Sequence, residues 1–247
     1  STGGMGHVES RILDYVASLF PEVFRDLEAY CLKYHQVQDP VILRFDREIQ
    51  FFIAYLDFIQ NIKTRGLPFC YPTLLTTHKN VRLKSGFDLT LAYRNARENI
   101  PVVCNDLELS GSERIIVVSG PNQGGKTTFA RMFGQVHYLA RLGLPVPGLE
   151  AELYLCDELY THFEKEEDIR SLRGKLQDEL VRIQSILDKA TPRSIIIMNE
   201  IFTSTSLSDA VFLSKEIIRK ITELDALCVC VSFIDELSTL NDHTISM

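Results

Sequence analysis

A glycine-rich stretch in the middle of the chain limits the possible folds more than any other part of the sequence. Residues 120–128 read G-P-N-Q-G-G-K-T-T and satisfy the pattern G-x-x-x-x-G-K-[ST]. The stretch follows the β-branched run 115–118, which predicts a buried strand, and precedes a helical pattern over 127–142. Glycines allow backbone amides to converge on a phosphate, and the N-terminal end of the helix attracts the same anion. The stretch therefore predicts a phosphate-binding loop, the alternative being a structural turn.

The side chains of this stretch suggest a nucleotide with a magnesium ion. Lys126 would reach the β and γ phosphates as a point charge, the Thr127 hydroxyl would coordinate Mg²⁺, and Thr128 would add a supporting contact. The predicted cofactors are therefore ATP or ADP with Mg²⁺. The residues predicted to bind the nucleotide are Gly120, Pro121, Asn122, Gln123, Gly124, Gly125, Lys126, Thr127 and Thr128.

A second polar element follows the apolar run 195–198. Asn199 stands where nucleotide hydrolases carry an aspartate, so it offers an acceptor oxygen to a metal but no charge. Glu200 would orient and polarise the attacking water as a general base, unless it is only a solvated acid at a strand end. Thr127, Asn199 and Glu200 are thus the candidate metal ligands, and Glu200 is the candidate catalytic residue.

Apolar strands alternate with helices over the second half of the chain. Strands are predicted at 115–118, 153–155, 195–198 and 227–232, and helices at 127–142, 172–187 and 207–224. Strands of this kind that alternate with helices are typical of a largely parallel sheet in an α/β fold. Together with the glycine-rich stretch, this order predicts a P-loop NTPase domain with helices flanking the sheet.

The first part of the chain has a different pattern. Residues 8–32 predict two short helices separated by Pro21, and residues 41–62 predict a helix whose aromatic and aliphatic side chains are expected in a core. Apolar and polar residues alternate over 87–91, which predicts a short strand. We interpret 1–7 as an expression remnant, 8–96 as a smaller all-α unit, and 97–247 as the α/β domain, truncated at its C-terminus.

Composition excludes several classes of protein. The 247 residues carry 26 basic and 33 acidic side chains, a net charge of −7, so the surface as a whole does not suit nucleic acid or an anionic membrane. No stretch is long and apolar enough to span a bilayer. The six cysteines contain no C-x-x-C pair, which favours reduced, buried thiols and a cytoplasmic location. The histidines have no spacing suited to a zinc site.

The residues from Pro101 onward resemble the ATPase domain of the MutS mismatch-repair family. Residues 8–96 are only weakly similar to the family's core and lever helices. The similarity is carried by the G-P-N-x-G-G-K-[ST] form of the loop and by the segments 101–107, 114–128, 143–147, 190–194, 205–209 and 232–237. The resemblance implies an ABC-type ATPase that forms a homodimer with composite nucleotide sites, and that binds DNA only as a full-length protein.

Several positions depart from the family pattern. Asn199 replaces the metal aspartate, Phe233 replaces a histidine, and Phe202-Thr203-Ser204 replace a glycine-rich segment. Gly174 stands at the position of a signature serine, whereas Glu179 keeps the acid five residues later. These differences resemble those of a divergent paralogue, in which nucleotide binding is better supported than hydrolysis.

Three functions remain open at this stage. The resemblance implies an ATP-driven conformational switch of a DNA repair or recombination type of protein, in which Lys165, Arg170 or Arg173 could reach the partner's γ phosphate. The acidic run 164–168 could gate the site, and Tyr160 or His162 could contact the adenine. The alternatives are a nucleotide-binding scaffold with little or no hydrolysis, and a small-molecule kinase.

Overall fold

The computed structural model describes residues 6–34, 39–121, 123–163 and 172–247, the side chains of residues 172 and 173 excepted. Contacts divide the chain into two compact units, Ser1–Asp57 and Phe58–Met247. This division lies well before residue 97, and the assignment of 8–96 and 97–247 as domains stays a prediction. Of the predicted remnant at 1–7, residues 1–5 lie outside the described residues, and His7 is the first residue of a helix.

The first unit is helical. Its helices are α1 (His7–Leu19), α2 (Pro21–Tyr34) and most of α3, which runs over Pro40–Lys63 into the second unit. Pro21 is the first residue of α2, a position where its missing N–H costs nothing, so the predicted break is confirmed.

The expected burial of the α3 side chains is wrong for most of the helix. Phe45 is 63% exposed and Phe51 is 52% exposed, whereas Ile59 and Ile62 are 1% exposed. The C-terminal end of α3 meets an apolar surface, because Ile62 packs with Phe87 within the second unit. Periodicity predicts the helix correctly but does not show where along it a packing partner begins.

A five-stranded parallel sheet forms the centre of the second unit. Its strands are β5 (Ile115–Val118), β8 (Leu159–Phe163), β9 (Ile195–Asn199), β10 (Leu227–Val231) and β11 (Thr244–Ser246), in the order β11-β5-β10-β9-β8. Every neighbouring pair is parallel. The predicted α/β class is therefore confirmed at this level, and the apolar runs are buried as parallel strands require.

Helices cover the two faces of this sheet. They are α5 (Lys126–Arg141), α6 (Leu172–Lys189) and α7 (Leu207–Leu224), together with a 3₁₀ helix at Asp235–Thr239. One face of β10, which carries Cys228 and Cys230, packs in a single core with Ile183 of α6 and Ile221 of α7. On α5, a Cβ added at Gly134 would lie 2.7 Å from Ile197 Cδ1, so the helix backbone lies close against β9.

The second unit also contains two sheets that the sequence did not predict. Strands β2 (Thr73–Leu75), β3 (Val81–Gly86), β4 (Asn105–Leu109) and β7 (Glu150–Tyr154) form a sheet in the order β2-β7-β3-β4, and β1 (Phe69–Cys70) pairs with β6 (Val146–Pro147). The strand predicted at 153–155 lies mostly in the first of these sheets, as part of β7, and not in the parallel sheet. The expectation of an all-α unit up to residue 96 is therefore wrong. The partners of β1, β2 and β3 lie far along the chain, so no local pattern indicates the pairing.

The strand expected over 87–91 is also wrong, because a helix, α4 (Leu89–Glu98), begins there. Asp88 is its N-cap and accepts a hydrogen bond from the Leu91 amide at 2.6 Å. The short alternation of 87–91 is compatible with either structure, and the capping carboxylate decides for the helix.

The six cysteines are free thiols, but only three of them are buried. Burial raises the pKa of Cys156 to about 11 and that of Cys230 to about 12, so both thiols are protonated at neutral pH. Cys31 is exposed, which corrects the expectation that all six are buried. Among the described residues, no helix is long and apolar enough to cross a membrane.

A buried histidine in α5 predicts how stability depends on pH. His137 is 1% exposed, and burial lowers its pKa from 6.5 to about 4, although a bond to the Phe133 carbonyl opposes this shift. The unfolded chain therefore binds a proton between these values that the folded chain does not, and stability falls as the pH drops through this range. We expect the free energy of unfolding to lose about 3 kcal/mol between about pH 7 and pH 4 through this residue.

The check is urea denaturation across this pH range with His137→Leu, which should remove this part of the pH dependence. His78→Gln, a change at an exposed histidine, is the matched control and should keep it. Parallel pH profiles for the wild type and His137→Leu would contradict the assignment.

Candidate functional site

The glycine-rich loop, residues 119–125, joins the carboxyl end of β5 to the first residue of α5. Gly120 has φ 139° and Gly125, the residue before the helix, has φ 87°, both in the region that favours glycine. A Cβ at Gly124 would lie 3.0 Å from the Pro121 carbonyl oxygen, which accepts a hydrogen bond from the Gly124 amide. The glycines thus allow a tight loop at the N-terminal end of a helix, where the macrodipole is positive.

Lys126 is folded back over this loop. The residue is 7% exposed, and its Nζ donates to the carbonyl oxygens of Gly120 at 2.7 Å and Pro121 at 3.0 Å. Burying an ammonium group is costly unless hydrogen bonds compensate, and these carbonyls provide them. The charge is therefore held at the loop rather than extended into solvent.

The other candidate residues of the stretch lie around this lysine. Thr127 and Thr128 are half-buried on the first turn of α5, whereas Pro121, Gln123, Gly124 and Gly125 are exposed. Gln123 adopts a left-handed backbone conformation, with φ 67°. Asn122 lies outside the described residues.

Strand pairing brings the second polar element to the same edge of the sheet. Val118 of β5 lies opposite Val231 of β10, and Val231 lies opposite Asn199 of β9. Asn199 is thus two strand spacings, roughly 10 Å, from the start of the loop. This distance suits a site in which the loop holds one end of a ligand and β9 faces it.

Asn199 presents an unsatisfied acceptor. The residue is 7% exposed, and its Oδ1 has no hydrogen-bond partner within the described parts of the chain. A buried amide oxygen of this kind is costly unless a water, ion or ligand completes it.

Glu200 follows in a left-handed conformation with φ 53°, and its amide donates to the Val231 carbonyl at 2.9 Å. Its side chain is half-buried. At the end of β9, Asn199 therefore offers an acceptor oxygen without a partner among the described residues, and Glu200 offers a carboxylate at a sharp turn.

A partly buried carboxylate, to which the sequence assigns no function, holds the segment after Glu200. Glu179 of α6 accepts a hydrogen bond from the Phe202 amide at 2.9 Å and one from His162 Nε2 at 3.3 Å. Phe202 is fully buried and has φ 61°, a conformation that is costly for a side chain of this size. Glu179 thus holds the turn in place, and only its match to a family position marked it in the sequence.

A cavity of about 590 Å³ opens beside the glycine-rich loop. Its other walls come from α4, from the segment before β4 and from the C-terminal strand. The residues that line it are Leu91, Arg94, Val103, Asn105, Val118, Ser119, Gln123, Gly124, Gly125, Lys126, Thr128, Phe129 and Met247. The size lies within the range of about 300–1,000 Å³ that is usual for small-molecule sites.

The remaining candidate residues are less closely tied to the loop. Gly174 lies in the first turn of α6, and the Phe233 side chain is 48% exposed after β10. His162 is buried against Glu179, and the Tyr160 hydroxyl donates to the Lys189 carbonyl at 3.3 Å. A contact of either side chain with an adenine stays a prediction. Lys165, Arg170, the acidic run 164–168 and the side chain of Arg173 lie outside the described residues.

Comparison with known proteins gives concordant results. A family model described as MutS domain V matches residues 116–247. The DNA mismatch repair protein MutS of Shouchella clausii (strain KSM-K16) is 34% identical over 144 residues, which are 57% of this chain and 16% of that protein. The chain therefore spans only a small part of this relative. The matched residues include most of β5, the whole glycine-rich loop, and Asn199 and Glu200 at the end of β9.

The Glu179 contacts predict a specific stability effect. Glu179→Leu leaves the Phe202 amide and the His162 ring without their acceptor, so we expect the free energy of unfolding in urea to fall by about 2–3 kcal/mol. Glu179→Gln keeps one acceptor oxygen and should lose about half as much. Asp178→Leu, at the exposed neighbouring position, is the control and should change stability by less than about 0.5 kcal/mol. Equal effects at positions 178 and 179 would refute the anchoring role.

Proposed function

The chain belongs to the MutS family, and on that basis we propose that it binds ATP and Mg²⁺ as the nucleotide-binding domain of a MutS-like DNA repair protein. The observation that carries the proposal is the buried Lys126 ammonium at a glycine-rich loop, between a parallel strand and a helix N-terminus. Phosphate oxygens would accept from the loop amides and from Lys126 in place of the Gly120 and Pro121 carbonyls. The loop is thus a P-loop in this proposal.

The residues proposed for the metal have the right chemistry. Thr127 offers a hydroxyl and Glu200 a carboxylate, and Asn199 Oδ1 is a buried acceptor that lacks a partner within the described residues. Mg²⁺ prefers oxygen ligands and keeps several waters, so a site with few protein ligands suits it. When bound, the ion would neutralise part of the negative charge of the phosphates.

Glu200 is the residue proposed to support hydrolysis. Its carboxylate would accept a proton from the water that attacks the γ phosphate, which requires the side chain to face the end of the phosphate chain. The turn after β9 fixes the backbone of Glu200 through Val231 on one side and Phe202 on the other. We therefore assign Glu200 the catalytic role.

Nucleotide binding would act as a conformational switch. In the proposed homodimer, the regions of Gly174 and Thr205 from a second copy close over the nucleotide, so that two composite sites form. A ligand can shift this equilibrium only through its different affinity for the open and closed forms. DNA binding is proposed only for the full-length protein, as the name of the Shouchella clausii relative suggests.

A second function, a nucleotide-binding scaffold with little or no hydrolysis, is favoured by two departures from the family pattern. Asn199 supplies no negative charge to the metal, and a family histidine is replaced by the half-exposed Phe233. Both changes weaken groups that act on the γ phosphate and leave the P-loop intact. The two functions differ in turnover and not in binding.

The P-loop assignment predicts the effect of removing its cation. Lys126→Ala should weaken ATP binding by at least about 100-fold, because a buried charge-assisted contact is lost. Isothermal titration calorimetry measures the change, with Lys84→Ala, on β3 of the other sheet, as the control. Unchanged ATP affinity in Lys126→Ala would show that the nucleotide site lies elsewhere.

Two substitutions at the end of β9 test whether the protein is an ATP-hydrolysing switch or a nucleotide-binding scaffold. Asn199→Asp restores a charged ligand and should raise the affinity of the nucleotide complex for Mg²⁺ by about tenfold. Glu200→Gln should abolish phosphate release and leave ATP affinity within about threefold of wild type. Tight retention of Mg-ATP with no phosphate release by the wild type would favour the scaffold over the ATPase.

A further inference from the structure

The cavity beside the P-loop has a second cation that the proposed function does not use. Arg94 of α4 lines this cavity together with Lys126, Thr128 and the loop glycines. Leu91 lines it one helical turn earlier, so a single face of α4 forms this wall. The wall therefore presents one apolar and one cationic side chain.

The charged side chains that line the cavity are positive. Lys126 and Arg94 are the only charged side chains among the described residues that line it, and both are positive. The protein as a whole has a net charge of −7. A local excess of positive charge in an acidic protein is suited to an anionic ligand.

Arg94 is not engaged elsewhere in the described structure. None of the described residues forms a hydrogen bond or ion pair with its guanidinium, whereas Arg97 on the same helix donates to the Tyr93 hydroxyl at 2.6 Å. Five N–H donors of Arg94 are thus left to solvent or to a ligand.

The helix that carries Arg94 is fixed to the helix that carries Lys126. The Asp88 carboxylate is fully buried and accepts from Arg131 Nε at 3.0 Å and from Gln135 Nε2 at 3.2 Å, both on α5. Gln135 in turn accepts from the Leu89 amide at 2.8 Å. Since Asp88 and Leu89 begin α4, its position relative to the P-loop is set by hydrogen bonds at its first turn.

We propose that Arg94 is a second phosphate-binding cation of the nucleotide site, donating to a phosphate oxygen from the α4 wall of the cavity. The inference rests on the proposed nucleotide binding and adds a residue to it. A guanidinium presents two parallel donors to one phosphate, which a lysine ammonium cannot do. Arg94 would therefore hold the phosphate chain in a defined orientation, and Lys126 would supply a point charge.

The test compares ligands that all carry a phosphate chain, of which only inorganic triphosphate lacks the nucleoside. Affinities of ATP, ADP and inorganic triphosphate are measured by calorimetry for the wild type, Arg94→Gln and Arg94→Lys. We expect Arg94→Gln to weaken all three by about tenfold, and Arg94→Lys to recover part of the loss because it keeps the charge. The loss for Arg94→Gln should shrink at high salt, since an exposed contact is screened.

Arg97→Gln is the matched control, because Arg97 lies on the same helix, contacts Tyr93 and does not line the cavity. It should leave all three affinities unchanged. Thermal denaturation of each variant verifies that α4 is retained.

The outcomes are distinct. If the wild type binds ATP but Arg94→Gln binds all three ligands as tightly, the role of Arg94 is refuted and the proposed function stands. If Arg94→Gln weakens ATP and ADP but not inorganic triphosphate, Arg94 contacts the nucleoside, and the phosphate assignment is wrong. If the wild type binds none of the three, the proposed function itself fails and this inference fails with it.

Discussion

The parallel pairing of β5 with β10 and of β10 with β9 determines where the polar groups of the site lie. Val118, Val231 and Asn199 are aligned across the sheet, so the loop after β5 and the turn after β9 leave the same edge. Parallel strands place their carboxyl ends together, and ligands of open α/β sheets bind there. A shift of β9 by one residue would turn Asn199 to the opposite face and would separate it from the loop.

In the turn after β9, a left-handed backbone conformation that favours glycine is adopted by a phenylalanine. Phe202 has φ 61° where the family has glycine-rich sequence, and a left-handed conformation costs about 1–2 kcal/mol without glycine. Complete burial of a phenylalanine contributes about 1.5–3 kcal/mol, and the bond from the Phe202 amide to Glu179 adds to it. Burial and the Glu179 contact together offset the strain. The position of Glu200 therefore does not depend on a glycine.

The strands and helices that could be predicted from the sequence are those marked by a contiguous run of residues. The run 115–118, the glycine-rich stretch and the helices after it are each contiguous, and the parallel sheet follows from their order. The sheet of β2, β3, β4 and β7 was missed because its pairings join residues far apart in the chain. In the site, the residues of the loop and of the end of β9 could be predicted by motif. Arg94 could not, because only the packing of α4 against α5 through Asp88 brings it to the cavity.

Asn199 and Arg94 change the charge of the proposed site in the same direction. An asparagine at the end of β9 removes one negative charge from the region of the metal, and an arginine on α4 adds one positive charge to the region of the phosphates. The phosphates of a bound nucleotide would then be neutralised more by the protein and less by Mg²⁺ than in a site with an aspartate and one lysine. Nucleotide affinity in such a site depends less on the metal, whereas hydrolysis still requires it. In the proposed site the same two residues would favour retention of the nucleotide over its turnover, and turnover would depend on Glu200.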